Sequence, residues 1–191
     1  AKAALRTAAR ARRDALGADA RQAASGEIAR RATTLLERLR PRVLAGYGAI
    51  RSEVDPAAIL MWAQRTGIAC VLPVVGDATT LIFRRYADGD ALTTGAFGTR
   101  APKDGAPELD PDILLTPLIA FDRRGNRLGH GGGFYDRGVA RLRAKGHQPV
   151  LVGLAFATQE VPSIPAEAHD IRLDWIVTEI ETLDMRALKR E

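Results

Sequence analysis

A single cysteine, Cys70, stands in 191 residues, so no disulfide can close within the chain and a thiolate metal cluster is excluded. Its setting, Ile68-Ala69-Cys70-Val71-Leu72, reads as a buried small hydrophobe, and such sparing use of cysteine suits a reducing, cytoplasmic compartment. Long apolar runs are lacking as well, none reaching the ~18 residues that span a bilayer. The basic start meets Arg12-Arg13-Asp14 where a secretory leader would carry its apolar core, so a soluble protein with no membrane partner is expected. Aromatics are few, with five Phe, three Tyr and two Trp, and form no stacking array of the kind that binds single-stranded nucleic acid. Repeats, low-complexity tracts and composition breaks are absent, so residues 1–191 read as one domain.

What is present is positive charge and alternation. Lysine and arginine outnumber acids 28 to 23, a net charge of +5, which suits an anionic partner without choosing between a nucleotide and a nucleic acid. Residues 2–17 read as a helix rich in alanine and arginine. Lys2, Arg6, Arg10 and Arg13 form one cationic stripe on it, by periodicity a solvated face opposite a thin apolar seam of Leu5, Ala9 and Leu16. Asp19 and Gln22 resemble a capping box, and Ile28, Ala32, Leu35 and Leu39 supply a buried stripe up to Pro41. Strands are expected at 43–47, 68–72 (closed by Pro73), 80–86, 112–116, 149–156 and 175–178. A helix is expected at 56–66, with Asp55 as its N-cap, and another at 134–145. Residues 87–112 carry turn signatures and little periodicity, as a lid or binding loop would. Strands alternating with helices imply a mainly parallel sheet covered on both sides, an α/β fold.

The chemistry concentrates after the 112–116 strand. Gly129, Gly131, Gly132 and Gly133 lead into Phe134-Tyr135-Asp136, and a glycine loop running into a helix N-terminus is a site for anions. It is neither a Walker A sequence nor a dinucleotide fingerprint. The implied ligand is phosphate-like, and Asp136 sharpens that: a carboxylate beside polyphosphate calls for a hard cation such as Mg²⁺, unless it merely caps the helix. His130 either donates to a phosphate or is simply exposed in the loop. His169 and Asp170 are adjacent with no third ligand at zinc-like spacing, and no GxSxG elbow supports a serine hydrolase.

Pro117 to Arg137, PLIAFDRRGNRLGHGGGFYDR, resembles the signature of the 5-formyltetrahydrofolate cyclo-ligase family, also called 5,10-methenyltetrahydrofolate synthetases. The resemblance extends to Lys2-Ala3-Ala4-Leu5-Arg6, Arg51-Ser52-Glu53-Val54 and Pro165 through Thr178. It implies a single three-layer α/β/α domain of Rossmann-like character, most simply a monomer. The implied reaction converts 5-formyltetrahydrofolate, in its polyglutamylated form or not, to 5,10-methenyltetrahydrofolate with ATP and Mg²⁺. By the same resemblance Lys2, Arg6 and the stretch Gly129, His130, Gly131, Gly132, Gly133 and Phe134 contact ATP. Arg127, Tyr135 and Asp136 are active-site positions, Asp136 the metal-associated one, while Ile50, Glu53, Phe97 and Tyr135 line the folate pocket. Arg10 and Arg13 stay as surface. Some relatives carry a lysine where this chain has Gly132, so one point charge at the phosphates is missing. Another small phosphoryl-transfer or sugar-phosphate enzyme would need the glycine loop but not Glu53, and a basic RNA-binding module would need only the arginines.

Overall fold

The computed structural model describes residues 2–76 and 79–187, apart from the side chain of Phe97. The described residues form four α-helices, α1 (Lys2–Asp14), α2 (Ala18–Leu39), α3 (Ala57–Arg65) and α4 (Phe134–Ala144). The strands are β1 (Val43–Ala45), β2 (Ala69–Val75), β3 (Leu81–Tyr86), β4 (Leu92–Thr94), β5 (Arg100–Pro102) and β6 (Ile113–Pro117). The remaining ones are β7 (Ala120–Phe121), β8 (Arg127–Leu128), β9 (Val150–Leu154), β10 (Trp175–Val177) and β11 (Thr182–Asp184). Seven of them form one sheet in the order β11-β10-β9-β6-β1-β2-β3. The five inner strands are parallel, and β3 and β11 run antiparallel along the two edges.

Period-two alternation splits the sheet between two cores. Leu44, Cys70, Leu72, Ile113, Leu115, Val152 and Val177 pack with Ile28, Leu35 and Leu36 of α2 and Ile59 of α3. Their neighbours Ala45, Val71, Leu114, Leu151 and Ile176 pack with Val139 and Leu142 of α4. The layers are therefore helix, sheet, helix, as expected. Both faces are dry, which is why the inner strands read as unbroken apolar runs.

The element limits differ from the sequence expectation at several points. The first helix ends at Asp14 rather than near 17. The N-cap of α2 is Gly17, with Asp19 inside the first turn instead of capping it. The N-cap of α3 is Pro56 rather than Asp55, and the helix begins one residue later than expected, although Asp55 Oδ1 accepts the Ala57 N–H at 3.0 Å. Pro73 does not close β2. Ala69 donates to the Arg42 carbonyl and Val71 accepts from Gly46, so the backbone at 69, 71 and 73 faces β1, which has ended by then. The missing N–H of Pro73 therefore costs no ladder bond. The 87–112 segment is not structureless, since β4 and β5 form a small hairpin around a turn at Ala96–Gly98. Phe97 lies in that turn, and its side chain is outside the described residues.

One consequence of the strand order locates the site. The β1-α3-β2 crossover moves to one side of the sheet and β6-α4-β9 moves to the other. The chain therefore reverses direction between β1 and β6, and a crevice opens outside their carboxyl ends, where doubly wound sheets bind ligands.

Candidate active site

Two loops leave the reversal point. From β6 the chain makes the short β7–β8 hairpin before reaching the glycines. Asp122, fully buried, shapes its turn: Oδ1 accepts the N–H groups of Arg124 and Asn126, and Oδ2 accepts from Asn126 Nδ2 and Ile164 N, all at 2.9–3.0 Å. Part of the long signature is thus scaffold. Asp122 and Asn126 hold the turn that precedes Arg127 and the glycines.

Gly131 has φ of 102° and Gly133, the N-cap of α4, has φ of 65°. Both lie in the left-handed region that side chains resist. A Cβ on Gly131 would also lie 3.6 Å from the Arg6 guanidinium, and one on Gly133 would lie 2.8 Å from Arg137 Nη1. At Gly132 a Cβ would meet the Phe134 ring at 2.6 Å, whereas Gly129 has open space. No side chain caps α4, and Asp136 is the acid of its first turn. An uncapped helix N-terminus behind a loop of this shape is electropositive and suited to phosphate.

Around the loop the sequence-predicted cations take defined places. Arg6 donates from Nε to the Gly129 carbonyl at 2.9 Å. Lys2 Nζ lies 3.0 Å from Glu167 Oε1 and 2.9 Å from Asp170 Oδ2, and these two bonds, that to Asp170 first, raise the lysine above its ordinary value. Arg127 donates to the Ile171 carbonyl and, at 2.8 Å, to Asp136 Oδ1, which also accepts the Ile171 N–H at 3.0 Å. Among the described residues Asp136 Oδ2 accepts no hydrogen bond.

The second loop follows β1. Glu53, its side chain 3% exposed, accepts the Ile50 N–H on Oε2 at 3.0 Å and meets His130 Nε2 on Oε1 at 2.7 Å. His130 is exposed in the loop, and through this contact it also joins the glycine loop to the loop after β1. Tyr135 lies close by, its phenol pushed up by burial and then by the Glu53 carboxylate. Beside the loop after β1 lies a cavity of about 330 Å³ bounded by Tyr47, Gly48, Asp55, Leu60, Leu92 and Arg100.

Helix α1 lies across this end of the sheet, and here the structure corrects the sequence. Leu5 and Ala9 are not opposite the cationic stripe: they share the inward face with Lys2, Arg6, Arg10 and Arg13. Arg13 is wholly buried and Arg10 partly so; neither is a surface residue. Spacing also missed a third ligand-type side chain beside His169 and Asp170. Glu167 joins them, with ligating atoms of all three within 4.8 Å of one another, around the Lys2 ammonium.

Comparisons with known proteins identify the family. The 5-formyltetrahydrofolate cyclo-ligase family model matches residues 1–179. A 5-formyltetrahydrofolate cyclo-ligase of Haemophilus influenzae is 35% identical over 88% of this chain and 92% of its own. The Escherichia coli enzyme of the same name is 33% identical over 88% and 95%. The solved 5,10-methenyltetrahydrofolate synthetase of Aquifex aeolicus superposes with a TM-score of 0.82 at 29% identity, covering 97% of this chain and 93% of that one. Matched by the family model along nearly its whole length and by relatives of 35% and 33% identity, this chain belongs to the 5-formyltetrahydrofolate cyclo-ligase family.

Proposed function

We propose that the glycine loop, Lys2, Arg6 and Arg127 hold the phosphates of ATP while Ile50, Glu53 and Tyr135 hold 5-formyltetrahydrofolate. The activity is that of the family: ATP-dependent conversion of 5-formyltetrahydrofolate to 5,10-methenyltetrahydrofolate. The observation that carries the assignment of residues is the 2.7 Å contact between His130 and Glu53, because it sets a phosphate loop against a buried carboxylate at the point where the sheet reverses.

The formyl group on N5 is amide-like and its oxygen is a poor leaving group. Transfer of the γ-phosphoryl group to that oxygen gives an iminium phosphate. N10 then attacks the same carbon, loses its proton, and phosphate departs with the formyl oxygen. No covalent bond to the protein is required, so the chain contributes orientation and compensation of charge. Loop N–H groups and the α4 terminus face the negative oxygens. Arg6, fixed by its bond to the Gly129 carbonyl, sets a guanidinium behind Gly131. Lys2 reaches the phosphates by leaving Glu167 and Asp170. Tyr135 stays protonated at neutral pH, since burial and Glu53 both oppose its ionisation, and so serves as a donor.

The donor set fits Mg²⁺. Asp136 would hold it through Oδ2, because Oδ1 is taken by Arg127 and Ile171, and Asp170 stands next along the chain from Ile171. The ion supplies neutralisation of phosphate oxygens. A cytoplasmic monomer acting on free or polyglutamylated folate is the accompanying reading, supported by the lone buried Cys70 and by Met61 and Ile180 being the exposed large hydrophobics among the described residues.

The test follows near-ultraviolet absorbance of the methenyl product with 5-formyltetrahydrofolate, ATP and Mg²⁺, omitting each in turn. Signal only in the complete mixture is expected. Folded protein that gives none would favour another phosphoryl-transfer enzyme on the same scaffold.

A further inference from the structure

A fully buried arginine on α1 has no part in the roles assigned above. Arg13 is 0% exposed, and its only hydrogen bond among the described residues runs from Nε to Ser52 Oγ at 2.9 Å. Nη1 and Nη2 are buried and without partners. Ser52 passes the connection on by donating to Asp14 Oδ1, which itself lies 4.0 Å from Arg13 Nε. A guanidinium placed so poorly for hydrogen bonding is a costly thing to bury. Burial indeed lowers its pKa, and Glu53, ahead of Asp14, is the charge that most opposes this.

The loop it touches is itself strained. Arg51, between Ile50 and Ser52, has φ of 54°, a left-handed conformation for a residue with a side chain, and such strain persists only where the surroundings over-determine it. The surroundings are on hand: Arg13 holds Ser52, the Ile50 N–H holds Glu53 Oε2, and the Glu53 N–H returns to the Ile50 carbonyl at 3.2 Å.

We infer that Arg13 is a positioning residue for Glu53: its hydrogen bond to Ser52 fixes the strained turn at Arg51, and its buried charge keeps the carboxylate in place for the folate. This rests on the reading of Glu53 given above. It also makes α1 serve both substrates. The Lys2 and Arg6 end faces the nucleotide, and two turns later the same face sets the residue that meets the folate.

The test compares Arg13→Met, Arg13→Lys, Ser52→Ala, Glu53→Gln and the Arg13→Met/Glu53→Gln pair, each with KM for 5-formyltetrahydrofolate and for ATP, and with thermal unfolding as a check of folding. Arg13→Met raises the folate KM tenfold or more and leaves the ATP KM within twofold. Arg13→Lys recovers most of the loss, and Ser52→Ala lies between. The pair is no worse than Glu53→Gln alone, because both changes remove one arrangement. If Arg13 only anchored α1, Lys2 and Arg6 would be displaced and the ATP KM would rise in parallel; that result overturns the proposal, as does multiplication of the two single effects in the pair. Should Arg13→Met not fold, the Arg13→Lys and Ser52→Ala values decide it, unchanged folate KM in Ser52→Ala counting against it. A Glu53→Gln enzyme with unaltered folate KM would instead overturn the role of Glu53 itself.

Discussion

His130 Nε2 lies 2.7 Å from Glu53 Oε1, so the loop after β6 and the loop after β1 meet through one contact. Glu53 has only the Ile50 N–H as its other hydrogen-bond donor among the described residues. Removing His130 therefore loosens the carboxylate without touching the sheet. His130→Ala is expected to raise the folate KM about tenfold, since a hydrogen bond to a charged group is worth roughly 1.5–3 kcal/mol. Steady-state kinetics at saturating ATP measure it, and an unchanged KM would mean that the contact has no part in folate binding.

Gly131 and Gly133 supply the two left-handed positions of the glycine loop. Valine at 131 would take on roughly 1–2 kcal/mol of backbone strain and crowd Arg6. The expected outcome is a folded protein whose melting temperature falls by about 2–8 °C, with ATP affinity reduced by tenfold or more and folate affinity largely kept. Binding of an ATP analogue by calorimetry reads the first effect. Gly129→Ala, where a Cβ has open space, should be mild by comparison, and equal damage at 129 and 131 would speak against a role for loop shape.

Asp136 accepts two hydrogen bonds on Oδ1, and among the described residues Oδ2 accepts none. Asparagine can keep the Ile171 bond but cannot hold a hard cation as a carboxylate does. Asp136→Asn should fold, and its turnover should lose its response to Mg²⁺ across a titration from limiting to saturating. A mutant that follows the parental Mg²⁺ curve would remove Asp136 from the metal site.

Cys70 shows the effect of burial on an ionisable group with no role in the reaction. Burial pushes its thiol from the ordinary 9.0 up to about 11. The folded chain thus holds this proton where the unfolded chain releases it. Its contribution to stability is complete below 9.0 and is lost as pH rises from there through about 11. Native protein at pH 8 should react with a thiol reagent far more slowly than protein in denaturant. In Cys70→Ala the fall of stability between pH 9 and 11 should be shallower than in the parent, and an identical slope would contradict this.

The inner parallel strands and α3 and α4 were legible because buried runs and apolar stripes carry strong periodic signals, and the glycine loop because glycines in that density have few structural uses. Arg13 was not. A stripe at helical spacing reads the same whether it faces water or protein, and only the third dimension shows that Ser52 and Glu53 lie beneath it. The β7–β8 hairpin, with two residues in each strand, is too short for any period to register. Residues 182–184 were not among the expected strands, because an edge strand needs few apolar residues. Glu167 escaped notice as a neighbour of His169 and Asp170 because it is the placement of Lys2, far away in the chain, that draws the acids together.

The most direct measurement is a structure of the protein with an ATP analogue, Mg²⁺ and 5-formyltetrahydrofolate. The account predicts terminal phosphates within hydrogen-bonding distance of the backbone N–H groups of residues 129–134, Lys2 released from Glu167 and Asp170, and the folate against Glu53. A triphosphate bound away from the glycine loop would contradict it.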